Sequence, residues 1–190
     1  MRLFLLRHAD AAPGTPDESR PITARGHRQI EQVARFVFSG EFAEVGVIEH
    51  SPLLRARETA ELFRKHAGLP HPLQVCNHIK PDDDPHITAR QLVAGTHDRL
   101  LIGHNPHHEL LAGLLLGQGR ATVQIGFRQS GLLALERFSP ATASAPYGYW
   151  QLLWFIVPPA GRASADALSR PSLHLLNHFS LIPLSWMLYF

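Results

Sequence analysis

Hydrophobic positions follow two different spacings along the chain. Leu3–Leu6 form a continuous apolar run, which is typical of a strand buried on both faces of a parallel sheet. A proline-rich stretch over 11–21 then predicts a loop. The apolar residues that follow recur at helical spacing and predict a helix capped by Thr23 and ended by Gly40; they are Ile30, Val33, Ala34 and Val37.

The same order of strand, loop and helix recurs further along. Residues 45–51 predict a second strand, and 53–66 predict a helix with Pro52 at a first helical position and Gly68 at its end. A short apolar patch and a polar turn come next. The remaining predicted elements are, in chain order, a helix over 86–93, a strand over 99–103, a helix over 107–117, and strands over 131–138 and 149–157.

This alternation of strands and helices predicts an α/β fold class. We expect a three-layer α/β/α domain with a mainly parallel central sheet, in which the last two strands pair with each other. The chain of 190 residues is long enough to bury one sizeable core. We therefore predict one domain over 1–160, followed by an apolar tail of unknown role over 161–190.

Composition limits which kinds of partner and which cellular compartment we expect for this chain. The formal net charge is only +2 and the arginines are spread along the chain, so we do not expect nucleic acid as a partner. The lone cysteine, Cys76, cannot form an intramolecular disulfide. Arg7 and His8 interrupt the first apolar run too early for a signal peptide. A cytoplasmic location is therefore expected.

Polar side chains cluster where the predicted parallel strands end. Because the carboxyl ends of such strands meet at one edge of the sheet, we expect two arginines and two histidines to converge there. The residues at or just beyond these strand ends are Arg7, His8, Ser51, Arg55, His104 and Asn105.

Such a cluster suits phosphoryl chemistry. Arginine presents permanently charged donors that match phosphate oxygens, and helix starts after Ser51 and Asn105 add backbone N–H groups. One histidine can attack phosphorus through a ring nitrogen while a second stabilises the developing charge. This chemistry needs no metal or other cofactor. The histidines between 104 and 108 crowd one helix start with Glu109, but their order matches neither zinc-protease pattern, so we expect no metal site.

Several segments resemble the signature motifs of the histidine phosphatase superfamily. The three main ones are RHADA at 7–11, SPLLRARETAE at 51–61 and GHNPHHELL at 103–111. They are most similar to the small SixA-type phosphohistidine phosphatases, as are DESRPITARG at 17–26 and IKPDDDP at 79–85. The resemblance covers roughly residues 1–160. It implies a phosphoglycerate mutase-like fold and a hydrolase that removes phosphate from histidine on a partner protein.

The resemblance also implies a role for each residue at the strand ends. His8 is the expected nucleophile, which carries a covalent phosphoryl group, and Arg7 and Arg55 hold the phosphate. His104 completes the pocket as a donor in the transition state. Three further residues fall near the same edge and are expected to help bind substrate, with turn capping or indirect support as the alternative for each: Ser51, Asn105 and Arg20.

The presence or absence of a proton donor separates two kinds of substrate. Superfamily members that act on esters usually supply a carboxylic acid, and no residue here identifies itself as that acid. The candidates are Asp82, Asp83 and Asp84, whose alternative role is a turn or helix cap. A departing imidazole needs less help, because its pKa is about 6.5. We therefore predict a phosphohistidine phosphatase. The alternatives are a small-molecule phosphomonoesterase of the same superfamily and a non-catalytic phosphohistidine-binding module.

The motifs follow one another at short intervals, which leave little room for an inserted lid. We expect a shallow site that accepts phosphohistidine exposed on another protein. A phosphotransfer domain of a signal transduction relay and a phosphotransferase carrier are both compatible partners.

The end of the chain is unusual in composition. Residues 171–190 contain no Asp, Glu, Lys or Arg. Their length is just enough for a membrane span, but two histidines, Asn177 and Pro183 weaken that interpretation. We expect an apolar arm that packs on the domain or on a second subunit, with membrane contact as the alternative.

Overall fold

The structure is a computed structural model that describes residues 1–120 and 123–159. Residues Met1–Pro159 form a compact unit. The predicted tail over 161–190 lies outside the described residues. Within the described part of the chain, no helix is long and apolar enough to cross a membrane.

The elements follow the predicted alternation. The strands are β1 (Arg2–Arg7), β2 (Val45–His50), β3 (Leu73–Val75), β4 (Asp98–Gly103), β5 (Leu132–Ser139) and β6 (Tyr149–Ile156). The helices are α1 (Ala24–Ala34), α2 (Leu54–His66), α3 (Pro85–Ala94) and α4 (His107–Leu116). The short apolar patch after α2 is itself a strand, β3.

All six strands form one sheet in the order β3-β2-β4-β1-β5-β6. The first four in that order are parallel, with Leu5 of β1 opposite Leu101 of β4. β5 runs antiparallel to β1, and β6 pairs antiparallel with β5, as predicted for the last two strands. The carboxyl ends of β2, β4 and β1 therefore lie side by side at one edge.

Helices cover both faces of the sheet, which confirms the three-layer α/β/α prediction. Alternate residues of β1 point to opposite faces, because successive side chains of a strand do so. Phe4 and Leu6 pack in one core with residues of α1 and α2, whereas Leu3 and Leu5 pack in the other with residues of α3 and α4. All four side chains are fully buried.

Helix α1 is shorter than the sequence predicts. It ends at Ala34, and Gly40 lies beyond it, within a short 3-10 turn over Ser39–Phe42. The aromatic and β-branched residues that follow Ala34 are weaker helix formers. The turn places Phe42 in the core against Phe4, with ring centroids 4.6 Å apart. Burial of this ring accounts for the departure from the helix.

Helix α2 begins later than predicted, and Pro52 is not in its first turn. The helix starts at Leu54, because the Ser51 N–H still donates to the Ile102 carbonyl at 2.9 Å and extends the pairing of β2 with β4. The predicted end is confirmed. Gly68 has a φ of +65°, the left-handed conformation with which helices commonly terminate.

Candidate active site

The carboxyl edge of the sheet brings together the four residues predicted for catalysis. Arg7 ends β1 and His8 follows it, while His104 follows β4 directly. The His8 N–H donates to the Gly103 carbonyl at 2.9 Å, which joins the two strand ends. Arg55 reaches the same edge from the first turn of α2. Three adjacent elements thus supply the cluster.

His8 is held in one orientation by its own backbone and by α2. Its Nδ1 lies 2.7 Å from the Ala9 carbonyl oxygen, which can only accept, so Nδ1 carries the proton and Nε2 keeps the lone pair. The Ala9 N–H donates to Thr59 Oγ1 at 3.0 Å. The Thr59 hydroxyl in turn donates to the Arg55 carbonyl at 2.6 Å, so the histidine and the arginine are fixed through one side chain.

His104 is nearly inaccessible, yet neither of its ring nitrogens has a hydrogen-bond partner. Its ring centroid is 4.9 Å from that of His8, with 52° between the planes. Buried polar atoms are rarely left unpaired, since each costs free energy. A ring nitrogen of His104 is therefore available to a group that binds beside His8.

Both histidines are neutral at physiological pH. Burial lowers the pKa of His8 to about 4; the Ala9 carbonyl opposes this, and the charges of Arg55, Arg7 and Arg20 add to it. Burial lowers the pKa of His104 to about 2, with the charges of His8 and Arg55 adding to the effect. A neutral His8 has a free lone pair, and a neutral His104 has one N–H to donate.

Arg55 is buried and bound at two points by one residue of the proline-rich loop. Its two terminal nitrogens donate to the backbone carbonyl and to the carboxylate of Asp17, each at 2.9 Å. The other carboxylate oxygen of Asp17 accepts from Arg20 at 2.7 Å. These contacts place Arg20 beside Arg55, near enough for its charge to contribute to the lowered pKa of His8.

Arg7 is fixed by a second hydrogen-bond network, which includes Asn105, Glu109 and the backbone of Phe127. Its Nη1 donates to the Phe127 carbonyl, which also accepts from Asn105 Nδ2 at 3.0 Å. Glu109 Oε1 accepts from Asn105 Nδ2 at 2.6 Å and from the Phe127 N–H at 2.9 Å. Burial lowers the pKa of Arg7, and the charge of Glu109 opposes this. Asn105 thus lies at the predicted edge, where its amide nitrogen donates to protein atoms and its buried amide oxygen has no hydrogen-bond partner among the described residues.

Of the remaining candidates, Ser51, Asp83 and Asp84 accept backbone hydrogen bonds in turns or caps, and nothing in the part of the chain that the structure describes assigns a role to Asp82. Ser51 is fully buried, and its Oγ accepts from the Leu53 N–H at 3.4 Å. Asp83 accepts from the Lys80 N–H at 2.7 Å. Asp84 caps α3 by accepting from the His86 N–H at 2.9 Å. The structure thus engages Asp83 and Asp84 in the turn and cap contacts that the sequence offered as the alternative to an acid.

Sequence reasoning missed three groups in these networks: Asp17, Glu109 as a partner of Asn105, and the backbone of Phe127. Asp17 and Glu109 lie in segments that resemble the superfamily motifs, which is the available signal, but their contacts depend on how two loops fold back. Within the described residues, no group of three or more His, Cys, Asp or Glu side chains is arranged to hold a metal ion.

The sheet order and the pair of facing histidines define the class: this is an α/β protein of the phosphoglycerate mutase-like fold. The chain belongs to the histidine phosphatase superfamily. The profile of branch 1 of that superfamily matches residues 3–78. Phosphohistidine phosphatase SixA of Escherichia coli strain K12 is 30% identical over 123 residues, which are 62% of this chain and 73% of that protein.

Solved structures agree with this assignment. A protein histidine phosphatase SixA complexed with tungstate superposes with a TM-score of 0.70 and 25% identity, covering 83% of this chain and 97% of that one. A phosphoserine phosphatase of Entamoeba histolytica in complex with 3-phosphoglyceric acid shares the fold at a TM-score of 0.54 and 16% identity, covering 81% of this chain and 95% of that one. Family and relatives together support a phosphatase.

Proposed function

We propose that this chain is a phosphohistidine phosphatase that hydrolyses phosphohistidine on a partner protein. The reaction passes through a covalent phosphoryl group on His8 and needs no metal. One observation carries the proposal: His8 is neutral, has Nδ1 tied to the Ala9 carbonyl, and faces a second neutral histidine whose ring nitrogens are unpaired. The similarity to SixA of Escherichia coli supports the choice of substrate class.

In the first step, His8 Nε2 attacks phosphorus. The bond from Nε2 to phosphorus forms as the bond from phosphorus to the substrate histidine breaks. The departing ring leaves as neutral imidazole when its other nitrogen carries a proton. Phosphorylated His8 is then a cation, because Nδ1 keeps the proton that it shares with Ala9.

In the second step, water attacks the phosphoryl group. The bond from phosphorus to Nε2 breaks, and the electron pair returns to His8 as its lone pair. The protons of the water remain with the released phosphate and the solvent. No change in redox state occurs, and no co-reactant other than water is needed.

The phosphoryl oxygens are stabilised from several sides. Arg7 and Arg55 supply permanent charge, and His104 donates its single N–H to an oxygen that gains charge in the transition state. We include Arg20 as a third cation beside the phosphate. Ser51 and Asn105 help to shape the pocket through the chain turns that they hold.

The carboxylates near the site favour phosphohistidine over an ester. Hydrogen bonds from Arg20 and Arg55 lower the pKa of Asp17, despite partial burial, so it is ionised at neutral pH and cannot protonate an alkoxide. Asp83 and Asp84 accept hydrogen bonds in turns. A departing imidazole depends least on such an acid. A small-molecule phosphomonoesterase remains the second candidate, because an ester phosphatase also shares this fold.

Phosphate release from a phosphohistidine carrier protein tests the proposal. The assay compares this carrier with an aryl phosphate ester and sugar phosphates, using wild type and His8→Ala without added metal. Release from the carrier that disappears in the variant supports both substrate class and nucleophile. Preference for an ester supports the phosphomonoesterase. Tight binding of the phosphorylated carrier without turnover in wild type supports a binding module.

A further inference from the structure

The proline-rich loop between β1 and α1 is closed at its base and fixed to α2. Ala11 and Ile22 form an isolated antiparallel bridge at the neck of the loop. The Ile22 N–H donates to Glu58 of α2 at 2.7 Å. Asp17, in the middle of the loop, binds Arg55 of the same helix. The loop is therefore anchored on the helix that carries a phosphate-binding arginine.

Asp17 contributes four hydrogen-bond contacts to two arginines and its own turn. Both of its carboxylate oxygens are used, one by Arg55 and one by Arg20. Its backbone carbonyl accepts from Arg55 at 2.9 Å and from the Arg20 N–H at 3.4 Å. Arg20 is held from the other side, because its Nε donates to the Ala12 carbonyl at 2.7 Å.

The two ion pairs differ in their surroundings. The side chain of Arg55 is 5% exposed, whereas those of Arg20 and Asp17 are 30% and 53% exposed. An isolated exposed pair such as Asp17 with Arg20 contributes little by itself. Here the carboxylate is also bound to a buried guanidinium, and the shared partner fixes the distance between the two arginines.

We propose that Asp17 is a positioning residue of the phosphate site. Its carboxylate bridges Arg55 and Arg20 and aligns both guanidiniums, so that Arg20 acts on the same phosphoryl group as Arg55. The inference rests on the proposed function, because it assumes that a phosphoryl group binds beside His8. Each arginine keeps N–H donors that Asp17 does not use, since a guanidinium has five.

Binding of inorganic phosphate measures this role without turnover. Asp17→Asn leaves one side-chain oxygen as an acceptor and puts an amide NH2 group in the place of the other. The variant therefore loses one of the two carboxylate contacts, to Arg55 and to Arg20. We expect phosphate to bind about tenfold more weakly, as for the loss of one charge-assisted contact. Arg20→Gln has the same effect. The double variant binds no more weakly than Arg20→Gln alone, because Arg55 keeps the Asp17 backbone carbonyl and the remaining side-chain oxygen as acceptors, so that only the bridge to Arg20 is lost.

Glu31→Gln is the matched control. It removes the exposed ion pair of Glu31 with Arg35 on α1, whose closest atoms are 2.6 Å apart, and leaves phosphate binding unchanged. Equal or tighter binding in Asp17→Asn overturns the inference, because the carboxylate then competes with phosphate instead of positioning its ligands. Additive losses in the double variant overturn it as well.

The experiment distinguishes failure of the proposed phosphate site from failure of the role of Asp17. If wild type binds no phosphate, the proposed site itself fails, and this inference fails with it. If wild type binds phosphate and the variants do so equally well, only the role of Asp17 fails. If Asp17→Asn does not fold, Arg20→Lys is tested in its place. This variant keeps the positive charge at position 20 but loses the planar, forked N–H donors of arginine. Unchanged phosphate binding by Arg20→Lys contradicts the proposal that Asp17 aligns Arg20.

Discussion

The imidazole rings of His8 and His104 face each other across two adjacent strand ends, with centroids 4.9 Å apart. One ring has a nitrogen bound to a backbone carbonyl, whereas the other has no partner at either nitrogen. The pair is therefore asymmetric: His8 has a defined tautomer, and His104 can adopt the tautomer that a bound group requires. This asymmetry suits one ring to attack and the other to donate.

The first prediction concerns the charge of His8. Its ring stays neutral as pH falls from 7.5 to 5.5, because burial and nearby arginines lower its pKa to about 4. Ring-nitrogen chemical shifts in an NMR titration of labelled protein measure this directly. A midpoint near 6.5, the value of a free histidine, contradicts the account of the site.

The second prediction concerns stability in acid. Burial lowers the pKa of His8, His104, His107 and His108, so below pH 6.5 the unfolded chain binds protons that the folded chain does not. The free energy of unfolding therefore falls as pH decreases, by up to about 1.4 kcal/mol per pH unit for each histidine, until the folded pKa is reached.

Urea unfolding at a series of pH values between 7.5 and 5 checks this. His108→Gln reduces the slope of stability against pH, because its fully buried ring no longer contributes. His66→Gln, at an exposed position, is the control and leaves the slope as in wild type. A stability that does not change over this pH range is inconsistent with buried neutral histidines.

The third prediction concerns Glu109. Glu109→Ala leaves the Phe127 N–H without its acceptor and removes one of the two acceptors of Asn105 Nδ2, and we expect a loss of about 1–3 kcal/mol of stability. Activity also falls, because Arg7 donates to the same Phe127 backbone. Glu109→Gln keeps an acceptor oxygen and loses less stability. Urea unfolding and kcat/KM measure both effects. If Glu109→Ala and Glu109→Gln lose stability and activity equally, the hydrogen bonds of Glu109 do not support the site.

The fourth prediction concerns the contact of α1 with the residues after His8. A Cβ on Gly26 would lie 2.4 Å from the Asp10 carbonyl oxygen, so Gly26→Ala must push the helix away from that strand end. We expect a loss of about 1–3 kcal/mol and reduced turnover. Gly46→Ala is the control, since a Cβ there has no atom within 4 Å. Thermal unfolding of both variants measures the loss of stability. An equal midpoint for Gly26→Ala and Gly46→Ala contradicts the importance of the close contact between α1 and Asp10.

Much of this fold is predictable, because strand and helix patterns are local properties of the sequence. The continuous apolar run before Arg7 predicts a parallel strand, and the geometry of parallel sheets then places His8, Arg55 and His104 at one edge. The antiparallel pairing of the last two strands follows from their short connection. The family resemblance supplies roles for the same residues.

What the sequence does not predict are contacts made by loops and by the backbone. Asp17 reaches Arg55 only because the proline-rich loop folds back onto α2, and no periodic pattern encodes that path. The carbonyl of Phe127 has no side-chain signature at all. The early end of α1 follows from burial of Phe42, a tertiary contact that outweighs the helical spacing of Val37.

Trapping the phosphorylated enzyme tests the central claim, that His8 is the nucleophile of a phosphohistidine phosphatase. Wild type is mixed with a phosphohistidine carrier for a single turnover, quenched in alkali, which preserves phosphohistidine, and mapped by mass spectrometry. The account predicts a phosphoryl group on His8 that forms as the carrier is consumed and is lost as phosphate appears. His8→Asn shows neither. Turnover of the carrier by wild type with no phosphoryl group on His8, or undiminished turnover by the variant, contradicts the claim.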